Sequence, residues 1–370
     1  MIFDGLETKG EYLVADGRSM QKNFNAIDLT KFVASIFVVY IHTEPLKSIA
    51  PEANFIILNI LARWAIPFFF MTSGYLYYSK FLSSQSRSKF LSDYGLKYLK
   101  RVLILYFVWS LVYLPYMIYQ TLSLPNPNVK LIFYGLRNVL YSGTSYHMWY
   151  FTALIFSIII LDVWISRFKL KSLLVLSAVF YLVGLLGESY IGLIHPESIL
   201  SSAFKLYFKF FLTTRNGVFF GLFFIVLGAY YYERPLKLAV YRSVLFSIVS
   251  ICFLCVEVLL LAKFTQPKDY NFMILSVPLS LYLFHALINI NLSWNLSYKS
   301  LRKLSTVIYC SHVAFIVIYS TFLRYLRIEA LVESGLLLFS LVLFSSIFFS
   351  MLVIKLENYK LIGFIAKKLV

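Results

Sequence analysis

The chain has 370 residues, of which 60% are hydrophobic and 14% are charged, and its formal net charge is +17. A soluble domain has roughly 45–50% apolar and about 25% charged residues, so this composition excludes an ordinary soluble protein and indicates a membrane protein. The three cysteines all lie in apolar stretches, which excludes a disulfide-rich secreted scaffold.

In chain order, a polar segment comes first and ten apolar runs follow. Residues 1–24 lack the apolar core of a signal peptide and are predicted to form a cytoplasmic N-terminal tail. Each run is close to the roughly 20 residues that a helix needs to cross a bilayer, and lacks the alternation of a barrel strand. The runs are 27–43, 55–78, 99–119, 147–165, 171–187, 216–232, 239–262, 272–290, 305–323 and 332–354.

These runs predict an all-α fold. We expect a polytopic integral membrane domain over residues 25–356, with about ten transmembrane helices around a central polar cavity, and a cytoplasmic C-terminal tail over 357–370. About two thirds of the 34 Lys and Arg residues fall on one side of the alternating loops, which places both termini in the cytoplasm of a cell membrane by the positive-inside rule. The basic charge then serves topology and contact with membrane lipids, and nucleic acid is not expected as a partner.

The connection between the fifth and sixth runs has a distinctive pattern. In "FKLYFKFF" (204–211), aromatic residues are spaced by lysines. This pattern predicts a helix that lies in the membrane interface, or a lid over the outer side.

The first run carries ionisable residues at both ends. In "IDLTKFVASIFVVYIHTEP" (27–45), Lys31 and His42 are eleven residues apart, which puts them on one helix face and about 16 Å apart along the axis. Asp28 lies three residues before Lys31 and is expected to be able to pair with it. The alternative for this helix alone is structural: Asp28 caps it, Lys31 reaches the headgroups, and His42 is interfacial.

Other runs carry ionisable residues at the same predicted side as His42. Arg63 stands at the outer end of the second run, and His147 and Arg215 open the fourth and sixth. His312 lies near the middle of the ninth run. Ionisable groups inside membrane spans are costly, face the bundle interior and mark functional sites, so this agreement predicts a polar cavity at the outer side.

Five segments carry a resemblance to a known family. They are "IDLTKFVASIFVVYIH", "PFFFMTSGY", "HMWY", "RNGVFFGLFFIVLG" and "STVIYCSH". In this order they resemble the acyltransferase 3 family of membrane-embedded O-acyltransferases, over residues 27–315. The first segment departs from the family pattern, because Thr30 stands in place of leucine and Lys31 in place of arginine. Lysine keeps the charge but lacks the planar fork of N–H donors.

The resemblance implies transfer of an acyl group, with acetyl-CoA as the expected donor, from the cytoplasm to a hydroxyl of a cell-surface glycan or lipid-linked sugar. Lys31 and Asp28 would hold the donor. His42 would act as the general base, since a neutral imidazole takes a hydroxyl proton at neutral pH. Arg63 and Arg215 would both be candidates for stabilising the oxyanion.

Further residues of these segments are candidates for contacting the acceptor. They are His147, Trp149, Ser73, Asn216 and His312. For Ser73 and the adjacent Gly74, a helix bend and close packing are favoured over a substrate contact. The sequence suggests no metal site.

Two other classes of function remain open. A transporter of a small molecule, such as an amino acid or an acyl compound, would also use a charged path through the bundle; the lack of inverted-repeat symmetry argues against it. A scaffold within a polysaccharide export complex would leave the charges inside the membrane without a purpose.

Overall fold

The computed structural model describes residues 14–15, 18–19, 24–83, 91–123, 135–328, 335–359 and 363–370. These segments are mostly helical. Their only paired strands, Val14–Ala15 and Arg18–Ser19, form a two-residue antiparallel ladder. The all-α prediction is confirmed, whereas the predicted tail over 1–24 lies mostly outside the described residues.

Each of the ten apolar runs contains a helix, and further short helices lie between or after them. The helices are α1 (Asn25–Thr43), α2 (Pro51–Ile56), α3 (Ala65–Ser83), α4 (Asp93–Leu122), α5 (Trp149–Ile165), α6 (Leu170–Gly187), α7 (Ile199–Phe210), α8 (Leu222–Glu233), α9 (Val240–Phe264), α10 (Ser276–Asn289), α11 (Tyr298–Tyr325), α12 (Gly335–Leu356) and α13 (Gly363–Ala366). Short π-helical turns continue α2 at Ile57–Leu61 and precede α8 at Gly217–Gly221.

Within the described residues, seven helical stretches are long and apolar enough to cross a membrane. Three shorter apolar helices, at Trp149–Ile165, Gly217–Glu233 and Ser276–Asn289, complete the set of ten. Their order matches the ten predicted runs, so the prediction of a polytopic helical membrane protein is confirmed.

Helices α3 and α8 pack closely against each other. A Cβ atom added at Gly74 would lie 1.9 Å from the carbonyl oxygen of Ile225, and one added at Gly228 would lie 2.0 Å from that of Met71. The two backbones therefore touch directly, as small residues allow between membrane helices. Since α3 continues through Ser73 without a break, the glycine beside it serves packing and not a bend.

The segment predicted to lie in the membrane interface forms α7. Ser198 caps its N-terminus with the side-chain hydroxyl. The helix exposes Ile199, Leu206 and Phe210, and buries Phe204 against the bundle. An exposed apolar face suits either the interface or a lid, and this placement stays a prediction.

The helix ends that carry the ionisable residues meet at one end of the bundle. α1 ends at Thr43, because Glu44 takes a left-handed φ of 43° and Pro45 follows. α3, α5 and the π-turn before α8 begin at this same end, around a shared cavity. We call this end of the bundle the His42 end, and the opposite end, where α1 begins, the Lys31 end.

Candidate functional site

A cavity opens at the His42 end and brings together five of the residues singled out in the sequence. Its empty volume, including the open mouth, is about 510 Å³. Its lining consists of Val38, Ile41, His42, Ala62, Arg63, Ile66, Pro67, His147, Trp149, Arg215, Phe220, Asn271 and Tyr309. Two guanidinium groups and two imidazoles thus share one small space with apolar walls.

Three imidazole rings lie together at this cavity. His42 stacks on His312, with ring centroids 5.3 Å apart and an interplanar angle of 20°. The ring of His147 stands edge-on to His312 at 4.9 Å and 69°. His312 therefore lies behind the base candidate and in direct contact with it, although it is not part of the cavity wall.

The hydrogen bonds of the imidazole rings determine which ring nitrogens are donors and which are acceptors. Nδ1 of His312 lies 2.7 Å from the carbonyl oxygen of Tyr309, so it carries the proton and Nε2 is left as an acceptor. That Nε2 atom and both ring nitrogens of His147 are buried without a hydrogen-bond partner among the described residues. Buried polar atoms are normally paired, so these nitrogens are available to water or to a bound ligand.

Arg63 is held in one orientation by neighbouring amides. Its Nη1 donates to Oδ1 of Asn271 at 2.5 Å, and its Nη2 donates to Oδ1 of Asn59 at 2.7 Å. Asn271 is itself fixed, because its backbone N–H donates to Asp269 at 2.8 Å. A guanidinium fixed in this way is a preorganised charge, and its Nε–H has no partner in the described structure.

Arg215 is placed differently. Its guanidinium lies over the ring of Trp149, 5.0 Å from the centroid. No carboxylate of the described chain pairs with it, and its Nε is buried without a partner. The side chain therefore presents its donors to the cavity without protein acceptors.

Glu188 and Ser189 connect the two segments that present these arginines. Oε1 of Glu188 accepts a hydrogen bond from the backbone N–H of Thr214 at 2.8 Å and another from the hydroxyl of Thr213, which in turn accepts one from the N–H of Arg215 at 2.9 Å. Ser189 Oγ accepts a hydrogen bond from the N–H of Phe272 at 3.2 Å, next to the asparagine that holds the other arginine. Burial and the nearby Asp269 raise the pKa of Glu188 to about 7.

Two tyrosines fix the part of α11 that carries His312. Tyr113 accepts a hydrogen bond from the N–H of Ala314 at 3.1 Å and donates one to the carbonyl of Cys310 at 2.6 Å, so its hydroxyl bridges one turn of the helix. Tyr309 donates to the carbonyl of His147 at 2.5 Å. These bonds tie α4, α11 and the start of α5 into one support for the imidazoles.

Two predicted acceptor contacts lie elsewhere. Asn216 caps the π-turn before α8: its side-chain oxygen accepts hydrogen bonds from the N–H groups of Val218 and Phe219, and its amide nitrogen donates to the hydroxyls of Tyr141 and Tyr207. Ser73 donates to the carbonyl of Phe69 one turn earlier, at 2.8 Å. Neither side chain lines the cavity, because both amide and hydroxyl are engaged in holding helices.

At the Lys31 end, the expected pairing of Asp28 with Lys31 is wrong. Asp28 instead accepts two hydrogen bonds from Arg302 of α11, from Nε at 2.8 Å and from Nη2 at 2.6 Å. The planar guanidinium matches both carboxylate oxygens, which an ammonium group cannot do. Asp28 therefore joins α1 to α11, and Lys31 has no ion pair among the residues described, with Arg101 close enough to add to its positive field.

The sequence did not reveal the supporting residues Asn59, Asn271, Glu188, Tyr113 and Tyr309. One signal was available for Tyr309, which precedes His312 by three residues and so shares its helix face. Asn271 gave no local signal, because it meets Arg63 only through tertiary contact across 208 positions.

The fold and the cavity define a multi-pass helical membrane protein with a cationic, imidazole-lined site at one end of the bundle. The chain belongs to the acyltransferase 3 family, since the Acyltransferase domain of that family matches residues 24–355. The resemblance found in the sequence is thereby confirmed. No solved structure matches the chain.

Several curated proteins are similar in sequence. An amino-acid racemase of Enterococcus faecalis is 32% identical over 348 residues, which cover 92% of this chain and 47% of that protein. A serine/alanine racemase of Enterococcus gallinarum is 32% identical over 289 residues, which cover 77% of this chain and 40% of that protein. The chain thus spans less than half the length of these relatives.

Proposed function

We propose that the chain is an integral membrane O-acyltransferase, which moves an acetyl group from cytoplasmic acetyl-CoA to a hydroxyl of a cell-surface polysaccharide or lipid-linked sugar. The observation that carries this proposal is the cavity itself. It places the imidazole of His42 beside two arginines, which is the combination that a base-assisted attack on a thioester needs.

In the proposed reaction, His42 takes the proton from the acceptor hydroxyl. The oxygen attacks the thioester carbonyl, the new C–O bond forms, and the negative charge that develops on the carbonyl oxygen is stabilised by an arginine. When the C–S bond breaks, the protonated imidazole returns its proton to the leaving thiolate. His312 stacks on the base and His147 contacts His312, so these rings hold the base in place, and His42 alone takes up the transferred proton.

The donor enters, on this proposal, from the Lys31 end. Lys31 and Arg101 are cations there that make no ion pair among the described residues, whereas Asp28 is already bound to Arg302. Unbalanced cations suit the phosphates of coenzyme A. Lys31 and His42 lie on one face of α1 about 16 Å apart, which sets the direction from the donor's phosphates to the reacting carbonyl.

The proposal includes a membrane orientation. We place the Lys31 end and both termini in the cytoplasm of a cell membrane and the His42 end outside, because the basic residues concentrate in the loops at the Lys31 end. The exposed apolar face of α7 would then lie against the outer leaflet, with membrane lipids as its partners.

A second candidate is a transporter that binds an amino acid in the same cavity. The observation in its favour is that similar proteins are named as racemases of amino acids, and one of them of serine and alanine. A transporter would move its cargo without any change in covalent bonds, whereas the acyltransferase leaves an acetyl ester on the acceptor.

Purified protein in liposomes separates the two candidates. Incubation with acetyl-CoA labelled in the acetyl group, together with an acceptor extract of the cell envelope, should transfer label to the acceptor and release free coenzyme A. Uptake of a labelled amino acid by the same liposomes, with no transfer of acetyl label, would favour the transporter.

A further inference from the structure

The guanidinium N–H donors of Arg215 face a cavity whose described lining contains no carboxylate. Among the described residues, no Asp or Glu side chain lines the cavity, and Asp269 and Glu188 accept hydrogen bonds from other groups. Asp269 accepts hydrogen bonds from Asn271, and Oε1 of Glu188 accepts them from Thr213 and Thr214. Ionisable groups inside membrane proteins are costly and are usually paired, so a cation without a protein partner in this cavity favours an anionic ligand.

Arg63 and Arg215 differ in the hydrogen bonds that their guanidinium groups make to the protein. Arg63 donates one N–H group to Asn59 and another to Asn271, and these hydrogen bonds fix the direction of its guanidinium. Arg215 makes no side-chain hydrogen bond to the described protein, and Trp149 supports only the face of its guanidinium. A guanidinium held by its face keeps its edge free, and that edge matches a carboxylate in the bidentate geometry.

We propose that Arg215 binds a carboxylate of the acceptor, so that the part of the acceptor that carries the reacting hydroxyl also bears a carboxylate group, as a uronic acid unit of a polysaccharide or lipid-linked sugar does. Arg63 is then the cation that faces the developing oxyanion. The assignment of the hydroxyl to the same molecule rests on the proposed acyl transfer. The carboxylate site itself rests only on the charges and contacts of the cavity.

The geometry of the cavity allows a single ligand to contact both His42 and Arg215. His42 and Arg215 line the same small space, close enough to interact electrostatically. A compact unit with a hydroxyl near a carboxylate, such as a hydroxy acid, a hydroxy amino acid or a uronic acid, places one group at each residue. The other source of anions is the donor, whose phosphates we place at Lys31, at the far end of α1.

The test uses pairs of ligands that differ in a single charge. Binding of L-lactate and L-lactamide, and of D-glucuronate and D-glucuronamide, is measured by calorimetry on the purified 370-residue chain in nanodiscs, without acyl donor. Wild type should prefer each carboxylate by about 10- to 100-fold, as expected for hydrogen bonds to a charged group. Arg215→Gln should remove the preference, Arg215→Lys should keep part of it, and Arg63→Gln should leave it largely intact.

A second set of binding measurements uses free coenzyme A as the ligand. Its affinity should fall in Lys31→Gln and stay unchanged in Arg215→Gln. Equal binding of carboxylate and carboxamide by wild type would overturn the proposal, and this result does not depend on whether any variant folds. Loss of coenzyme A binding in Arg215→Gln, with normal binding in Lys31→Gln, would also overturn it, because the arginine would then hold donor phosphate.

The outcome is separable from that of the proposed function. A carboxylate preference without any acetyl transfer would uphold the site and reject the acyltransferase. Rapid acetylation of neutral sugars by wild type, together with equal binding of each ligand pair, would uphold the acyltransferase and reject the site.

Discussion

The imidazoles of His42 in α1 and His312 in α11 lie stacked, with their centroids 5.3 Å apart. His42 lines the cavity together with His147, and the ring of His147 stands edge-on to His312. His312 cannot rotate freely, since its Nδ1 proton is bound to the carbonyl of Tyr309. The base candidate is thus supported by a ring of fixed tautomer, which is the arrangement that a general base needs to keep its orientation.

Removal of the fixed arginine should affect the chemical step. Arg63→Ala should lower kcat by about 10²- to 10³-fold, the typical loss for one group that stabilises an oxyanion. Asn271→Ala should cause a smaller loss, because it frees the guanidinium without removing it. Acetyl transfer by purified protein measures both, with the exposed Arg234→Ala as the control. Wild-type turnover in well-folded Arg63→Ala would exclude this residue from the reaction.

Glu188 should make stability depend on pH. Burial raises its pKa from 4.5 to about 7, and a carboxyl group whose pKa is raised on folding stabilises the protein fully below about pH 4.5 and loses that contribution as the pH rises through about 7. Glu188→Gln keeps the acceptor for Thr214 and removes the titration. The melting temperature of wild type should therefore fall relative to this variant between pH 4.5 and 7, and the difference should level off above pH 7.

Glu197 provides the matched control for that measurement. It is an exposed carboxylate nine residues further along the same connection, so Glu197→Gln should follow the wild-type curve. A Glu188→Gln curve parallel to that of wild type across the whole range would show that Glu188 does not titrate in the folded protein.

Substitutions at Lys31 should act on the donor. Lys31→Arg restores the residue of the family pattern and its bidentate fork, so the KM for acetyl-CoA should stay the same or fall. Lys31→Glu sets a negative charge against the donor phosphates and should raise that KM with little change in kcat. Lys47→Glu, at an exposed position beyond the opposite end of α1, is the control. An unchanged KM in Lys31→Glu would move the donor site away from this residue.

The proposed orientation can be tested with cysteines. In a cysteine-free background, a thiol reagent that does not cross membranes should label Ser202→Cys in α7 from outside the cell, and should label Ser297→Cys before α11 only after the membrane is opened. Both positions are exposed. The reverse pattern would place the Lys31 end outside and reject the proposed path of the acyl group.

Much of the fold follows from local sequence. A membrane span needs about 20 apolar residues and satisfies its own backbone hydrogen bonds, so ten runs predict ten helices without knowledge of their neighbours. The convergence of His42, Arg63, His147 and Arg215 could also be predicted, because the alternation of the helices fixes which ends share a side. Their detailed roles in a reaction stay predictions.

What the sequence could not supply were partners from distant segments. Asp28 had a lysine three residues away, yet an arginine 274 positions later takes both of its oxygens, because the packing of α1 on α11 brings the better-matched cation into reach. Asn216 stands between a site arginine and a glycine, and looks like part of the site. The structure uses its amide as a helix cap, which the motif alone does not distinguish from a ligand contact.

Acetyl transfer by His42→Gln tests the central claim most directly. Glutamine keeps a hydrogen-bonding side chain but cannot take a proton at neutral pH, so the variant should fold, bind acetyl-CoA with the wild-type affinity and transfer no acetyl group. The measurement is transfer of labelled acetyl by purified protein in liposomes, with the melting temperature as the check on folding. Transfer at the wild-type rate by folded His42→Gln would contradict the assignment of His42 as the base.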